Sequence, residues 1–251
     1  MSESVVKLQT VEPGILCVRM QDRGHGNAFS DALAGGLLQA FDSIASNPDG
    51  KAVILTGYDT YFATGGTRQG LLNLHEGKTS FADTNLYSLA LDCPIPVIAA
   101  MQGHGIGGGL VMGLFADLIV LSRESVYATN FMNFGFTPGM GATCIVPLKL
   151  GVALGSEMLF LARNYRGEEL KQRGVPWPVL PRAEVWPHAL ELARSLAQKP
   201  RVSLIALKDL LVTALRKQLP LTVQDELAMH ARTFHQEVVR DNINNLLGEA
   251  P

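Results

Sequence analysis

Four short stretches of this chain are rich in β-branched and aliphatic residues: 15–20 (ILCVRM), 51–56 (KAVILT), 95–101 (IPVIAAM) and 117–123 (DLIVLSR). The last two are nearly continuous in apolar character, as expected of strands buried on both faces. Between the first two, Leu33, Leu37, Leu38, Phe41 and Ile44 recur at helical spacing, with Ser30 placed to cap the start. Strand-like runs separated by helix-like segments predict a sheet with helical crossovers. Residues 62–85 break this rhythm with Gly65, Gly66, Gly70 and Gly77 and then a polar run, which predicts a mobile loop around one short helix. From 183 onward the pattern is wholly helical. It predicts one helix over 183–197, a second lined by Leu204, Leu207, Leu211 and Leu215, and a third over 221–240, with Pro200 and Pro220 as boundaries. The expected layout is an α/β core over residues 1–182 and a helical portion over 183–251, with no flexible linker between them.

Composition narrows the function classes. Only 18% of the 251 residues are charged, against roughly 25% in an ordinary soluble protein, and there are 25 glycines. Disorder is excluded by that balance. No run approaches the roughly 18 consecutive apolar residues of a spanning helix, so no membrane association is expected. A net charge of −2 argues against nucleic acid as a partner. Cys17, Cys93 and Cys144 sit in apolar neighbourhoods without metal spacing and read as buried thiols, so no metal is expected. The first residues lack the basic-then-apolar pattern of a signal peptide, which reads as cytoplasmic. What remains is a large core, together with subunit surfaces that carry little charge.

Two glycine clusters carry the candidate chemistry. Gly103 to Gly109 (GHGIGGG) follows the strand-like run 95–101, and Phe62-Ala63-Thr64-Gly65-Gly66-Thr67 follows 51–56. The spacing Gly103-x-Gly105-x-x-Gly108 also fits dinucleotide binding, but it lies mid-chain and a lone match of this kind is weak. Two glycine turns after two buried parallel strands can aim two backbone N–H groups at one oxygen. That is an oxyanion hole, suited to thioester chemistry in which a carbonyl becomes an enolate.

The chain resembles the crotonase (enoyl-CoA hydratase/isomerase) superfamily. The matching landmarks, in family order, are Asn27-Ala28-Phe29, Phe62-Ala63-Thr64-Gly65-Gly66, Pro96-Val97-Ile98-Ala99-Ala100, Gly105-x-Gly107-Gly108-Gly109, Ala116-Asp117 and Pro138-Gly139-Met140-Gly141. The resemblance implies an α/β spiral of ββα units with a helical C-terminal portion that assembles a homotrimer, or a dimer of trimers, and covers the active site. It also implies an oxyanion hole made by the N–H groups of Thr64 and Gly108, with Ala63, Gly65 and Gly66 beside the substrate. Hydratases of this family carry two glutamates where this sequence has Val111 and Phe131, and neither residue can act as acid or base.

An apolar pocket with an intact oxyanion hole suits decarboxylation, because the thioester serves as electron sink and a carboxylate beside Val111, Met112 and Phe131 is costly to keep. Phe62 to Thr67, Ala100 to His104, Asn130-Phe131-Met132, Gly135 to Gly141 and Tyr165-Arg166-Gly167 are similar to the crotonase-like decarboxylases of polyketide β-branching cassettes. That narrower resemblance implies a 3-methylglutaconyl-type thioester, carried on an acyl carrier protein or on coenzyme A, that becomes a 3-methylcrotonyl-type product without a metal or redox cofactor. It also implies a catalytic histidine at His230, a catalytic lysine at Lys78, and either Lys78 or His75 holding the substrate carboxylate. An enoyl-thioester isomerase and a non-catalytic scaffold that binds acyl carriers are the alternatives.

Overall fold

The short apolar runs become the middle of a six-stranded sheet. The computed structural model describes residues 4–248. In it, strands Ile15–Met20, Ala52–Thr56, Val97–Met101 and Leu118–Ser122 lie side by side and parallel. Val6–Glu12 adds antiparallel at one edge, and Val179–Leu180 adds parallel at the other. Alternate side chains of the central strands enter two separate apolar clusters, which is why the runs have no polar face. Val53, Leu55, Val97, Ala99, Ile119 and Leu121 join the main core. Ile54, Ile98, Ala100 and Val120 meet Val185, Ala189 and Ala193 of helix Arg182–Ala197, whose two alanines permit close packing on the sheet.

After each of three central strands the chain crosses into a second, four-stranded sheet. Ala52–Thr56 leads to Tyr61–Ala63 and then helix Arg68–His75. Val97–Met101 leads to His104–Ile106 and then helix Gly108–Leu114. Leu118–Ser122 leads to Val126–Ala128 and then the 3-10 helix Asn130–Phe134. In the second sheet these strands pair in parallel, with Tyr165–Arg166 antiparallel at its edge. This is a crotonase-type spiral of ββα units. Ser30 caps helix Asp31–Ala45 as expected, its hydroxyl oxygen accepting from the Leu33 N–H at 3.2 Å.

The expected helix boundary at Pro220 is absent. Arg201–Thr233 is one continuous helix with Pro220 inside it, and the break falls at residues 234–236, before helix Glu237–Leu247. A proline inside a helix costs about 3 kcal/mol. Here the neighbouring Leu219, Thr222, Val223 and Glu226 are all buried against the body of the protein, and that packing offsets the loss. Two buried polar anchors fix the same helix. The Lys208 ammonium donates to the Ala90 and Ile95 carbonyls at 2.8 and 3.1 Å and to the Asp117 carboxylate at 2.7 Å. The Glu226 carboxylate accepts from the Gly141 N–H at 2.7 Å and from the Thr143 N–H and hydroxyl at 2.9 and 2.6 Å.

In the region expected as a mobile loop, Thr67 caps helix Arg68–His75, and both histidines nearby tie its end to the C-terminal segment. His75 Nε2 lies 3.1 Å from the Gln236 carbonyl, and His235 Nδ1 lies 2.7 Å from the His75 carbonyl. Among the described residues, no helix is long and apolar enough to cross a membrane, and no group of His, Cys, Asp and Glu could hold a metal ion. Cys17 and Cys93 are buried and Cys144 half-buried, all as free thiols; burial pushes Cys17 up to about 11.

Candidate active site

The two glycine turns meet. Ala63 pairs with Gly105 across parallel strands, so the residues that follow each strand open onto one cavity of about 350 Å³. Gly108 lines the cavity at the start of a helix, so its N–H has no acceptor one turn earlier within that helix. Gly65 has φ +82°, and a Cβ there would lie 3.0 Å from the Ile106 carbonyl oxygen and 3.2 Å from the Gly108 nitrogen. Any side chain at 65 would therefore cover that donor. Gly109 passes so near the first turn that a Cβ would collide with the Ala63 carbonyl.

Thr64 is braced from below. Its N–H reaches the Asn27 carbonyl at 3.3 Å, the long end of hydrogen bonding, and its hydroxyl donates to the Gly26 carbonyl at 3.1 Å. Asn27 is fully buried in a left-handed conformation, φ +55°. Its amide donates to the Phe62 and Met20 carbonyls at 2.9 and 3.2 Å, and its amide oxygen accepts from the Asp22 N–H at 2.8 Å. Ala28–Phe29 then pairs in parallel with Gly65–Gly66. The Asn27-Ala28-Phe29 landmark is thus a clamp on the first glycine turn.

The walls are mostly apolar: Leu71, Phe81, Phe131, Phe134, Phe136 and Met140. Among the described residues no carboxylate lines the cavity; its ionisable side chains are His25 and Arg68. His25 Nδ1 sits 2.9 and 3.0 Å from the two oxygens of the buried Asp22 carboxylate, which also accepts from the Ser30 hydroxyl at 2.9 Å. Arg68 donates to the Asn244 side chain at 2.6 Å, which links the cavity rim to the terminal helix, and Leu247 of that helix lines the cavity.

Of the residues expected at the site, Thr64, Gly65, Gly66, Gly108 and Phe131 line this cavity. Ala63 and Val111 are fully buried behind it. Three others lie elsewhere. The Lys78 ammonium is 2.5 Å from Glu76, with 65% of its side chain exposed. His75 faces Gln236 and His235, as described above, because helix Arg68–His75 turns that position outward. His230 lines a second cavity of about 200 Å³ with Gly77, Phe234 and His235, and Phe81 is the wall that the two cavities share. The Phe81 and His230 ring centres are 5.0 Å apart. His230 is buried, and burial pushes its pKa down, so its ring is neutral and Nε2–H donates to the Thr137 carbonyl at 2.9 Å. The ring also packs on Gly139, in the turn that sets Met140 against Gly108. Arg68, His25 and Phe81 were not singled out from the sequence; the available hint was that Arg68 directly follows the first glycine cluster.

This geometry matches a known group. The enoyl-CoA hydratase/isomerase family model matches residues 10–247. The chain belongs to that family. It is 62% identical over 248 residues to the Bacillaene synthase decarboxylase PksI of Bacillus subtilis, covering 99% of this chain and 100% of the relative. A probable enoyl-CoA hydratase of Rhodobacter capsulatus is 26% identical over 90% of this chain and 88% of its own length. Among solved structures, one described as a dehydratase/decarboxylase enzyme couple involved in polyketide β-branching superposes with a TM-score of 0.97, at 63% identity over 98% of this chain and all of that one. The ECH2 decarboxylase domain of CurF from Lyngbya majuscula superposes with a TM-score of 0.93, at 42% identity over 97% of this chain and all of that domain. Within its family, therefore, this chain groups with proteins described as decarboxylases of polyketide β-branching.

Proposed function

We propose that the protein is a carbon–carbon lyase of polyketide biosynthesis that decarboxylates a 3-methylglutaconyl-type thioester carried on the phosphopantetheine of an acyl carrier protein. The observation that carries this reading is a cavity lined by both glycine turns, Thr64 and Gly108 among them, with no carboxylate among its described lining residues. The substrate oxygen accepts from the Gly108 N–H and competes with the Asn27 carbonyl for the Thr64 N–H, a bond already long. Breaking the bond to the carboxylate sends its electron pair into the thioester as a dienolate, CO₂ leaves, and a proton completes the 3-methylcrotonyl-type product. The thioester is itself the electron sink, so no metal or redox cofactor is invoked. Electrostatic stabilisation of this kind is worth roughly 10²–10³ in rate per donor.

His230 and Lys78 are assigned through the segment that carries Phe81. Displacing Phe81 from the shared wall joins the two cavities and exposes the His230 ring to the dienolate, for which an imidazole is a suitable proton relay near neutral pH. Lys78 precedes Phe81 on the same segment, paired with Glu76.

Exposed Leu207, Leu210 and Leu211 on helix Arg201–Thr233, together with Val152 and Phe160, form apolar surface of the kind that subunits cover, which supports a homotrimer or a dimer of trimers.

Incubation with the glutaconyl thioester, on carrier protein and on coenzyme A, tests the reading. Release of CO₂ with faster turnover on the carrier supports it. A shift of the double bond with the carboxylate retained would make the protein an isomerase, and carrier binding without turnover would make it a scaffold.

A further inference from the structure

Among the described residues, the basic side chains near the site have partners that differ in a telling way. Lys78 is neutralised by Glu76 and does not line the oxyanion cavity. His25 is bound through Nδ1 to a buried carboxylate, Asp22. Arg68 lines the cavity and donates to the neutral amide oxygen of Asn244, a contact that leaves its charge uncompensated.

Its position fits the substrate. Arg68 is the first residue of its helix, directly after the N-cap Thr67, and lines the same cavity as Thr64, Gly66 and Thr67. An acyl chain held at its thioester oxygen by Thr64 and Gly108 carries its carboxylate at the other end of a short carbon chain, within the same cavity. A guanidinium presents two parallel N–H donors that match a carboxylate, and Asn244 holds the group without satisfying it.

We infer that Arg68 receives and orients the substrate carboxylate, so that it selects for a carboxylated acyl thioester. This rests on the decarboxylase reading above. The exposed setting of Arg68 suits the task, since a contact at the solvent edge orients the anion without holding it as firmly as a buried pair, and the contact must weaken as CO₂ forms.

The test compares wild type with Arg68→Gln, Arg68→Lys and Lys78→Gln, using two thioesters on the same carrier: the glutaconyl substrate and the 3-methylcrotonyl product, which has no carboxylate. The expected result for Arg68→Gln is a KM for the glutaconyl thioester raised about tenfold or more. Its affinity for the crotonyl thioester should stay within about twofold of wild type, since both share the arm. Arg68→Lys should recover part of the loss, and circular dichroism confirms that the variants fold. An unchanged KM in Arg68→Gln, with the loss appearing in Lys78→Gln, overturns the inference. Equal loss of affinity for both thioesters would place Arg68 on the arm's phosphate and also overturn it. If wild type releases no CO₂, the functional reading falls, yet the two binding affinities still decide whether Arg68 recognises the carboxylate.

Discussion

Replacing Gly65 by alanine tests the oxyanion hole where the structure is least forgiving. The added methyl would sit 3.0 Å from the Ile106 carbonyl oxygen and 3.2 Å from the Gly108 nitrogen, in a backbone conformation of φ +82°. The left-handed conformation costs a residue with a Cβ roughly 1–2 kcal/mol. In a chain of this length each kcal/mol lowers Tm by about 2–4 °C, so Gly65→Ala should melt roughly 2–8 °C below wild type and remain folded at 25 °C. The chemical effect should be larger. Covering one donor removes about 2.7–4 kcal/mol of transition-state stabilisation, a fall of about 10²–10³ in kcat. CO₂ release under saturating thioester gives kcat, and a calorimetric scan of the same sample gives Tm. A folded Gly65→Ala protein that keeps more than about a tenth of wild-type kcat would refute the placement of the hole at Gly108.

Three further outcomes are expected. His230 is neutral in the folded protein because burial depresses its pKa, so the unfolded chain binds the extra proton; stability should fall as pH drops below about 6.5, and His230→Gln should flatten that slope in pH-dependent urea melts. Lys208→Ala leaves the Asp117 carboxylate without its ammonium and should cost about 3–5 kcal/mol, read as a lowered urea midpoint. Leu207→Asp combined with Leu211→Asp places charge on the exposed apolar face of helix Arg201–Thr233, and sedimentation should show a trimer reduced to monomers while the circular dichroism spectrum is kept.

Much of the fold was legible because the signals were local. A buried strand needs apolar residues on both faces, and Val53 to Leu55 and Val97 to Ala99 show that with no knowledge of their partners. Ser30 and the two glycine turns are likewise written in a few neighbouring residues. Pro220 misled because proline is a local breaker, whereas the packing that overrides it, through Leu219, Val223 and Glu226, comes from residues far along the chain. The site divides in the same manner. That the two glycine turns line one cavity follows from the order of residues, but the direction of a side chain on a short helix or in the turn after it does not, so Lys78 and His75 were expected at a cavity that Arg68 lines instead. The partition by Phe81 depends on where the segment before Asn85 meets helix Arg201–Thr233, which no spacing encodes.

The two oxyanion donors proposed above belong to main-chain atoms of different ββα units, joined by the pairing of Ala63 with Gly105. Side-chain substitution therefore leaves them in place unless proline enters or a Cβ obstructs them. On the proposed reading, reaction type depends by contrast on positions such as 111 and 131, where Val and Phe stand. The electron sink and the proton chemistry are thus separately inheritable. A lineage can exchange hydration for decarboxylation through a few side chains, while the part of the catalyst that lowers the common barrier passes on unaltered.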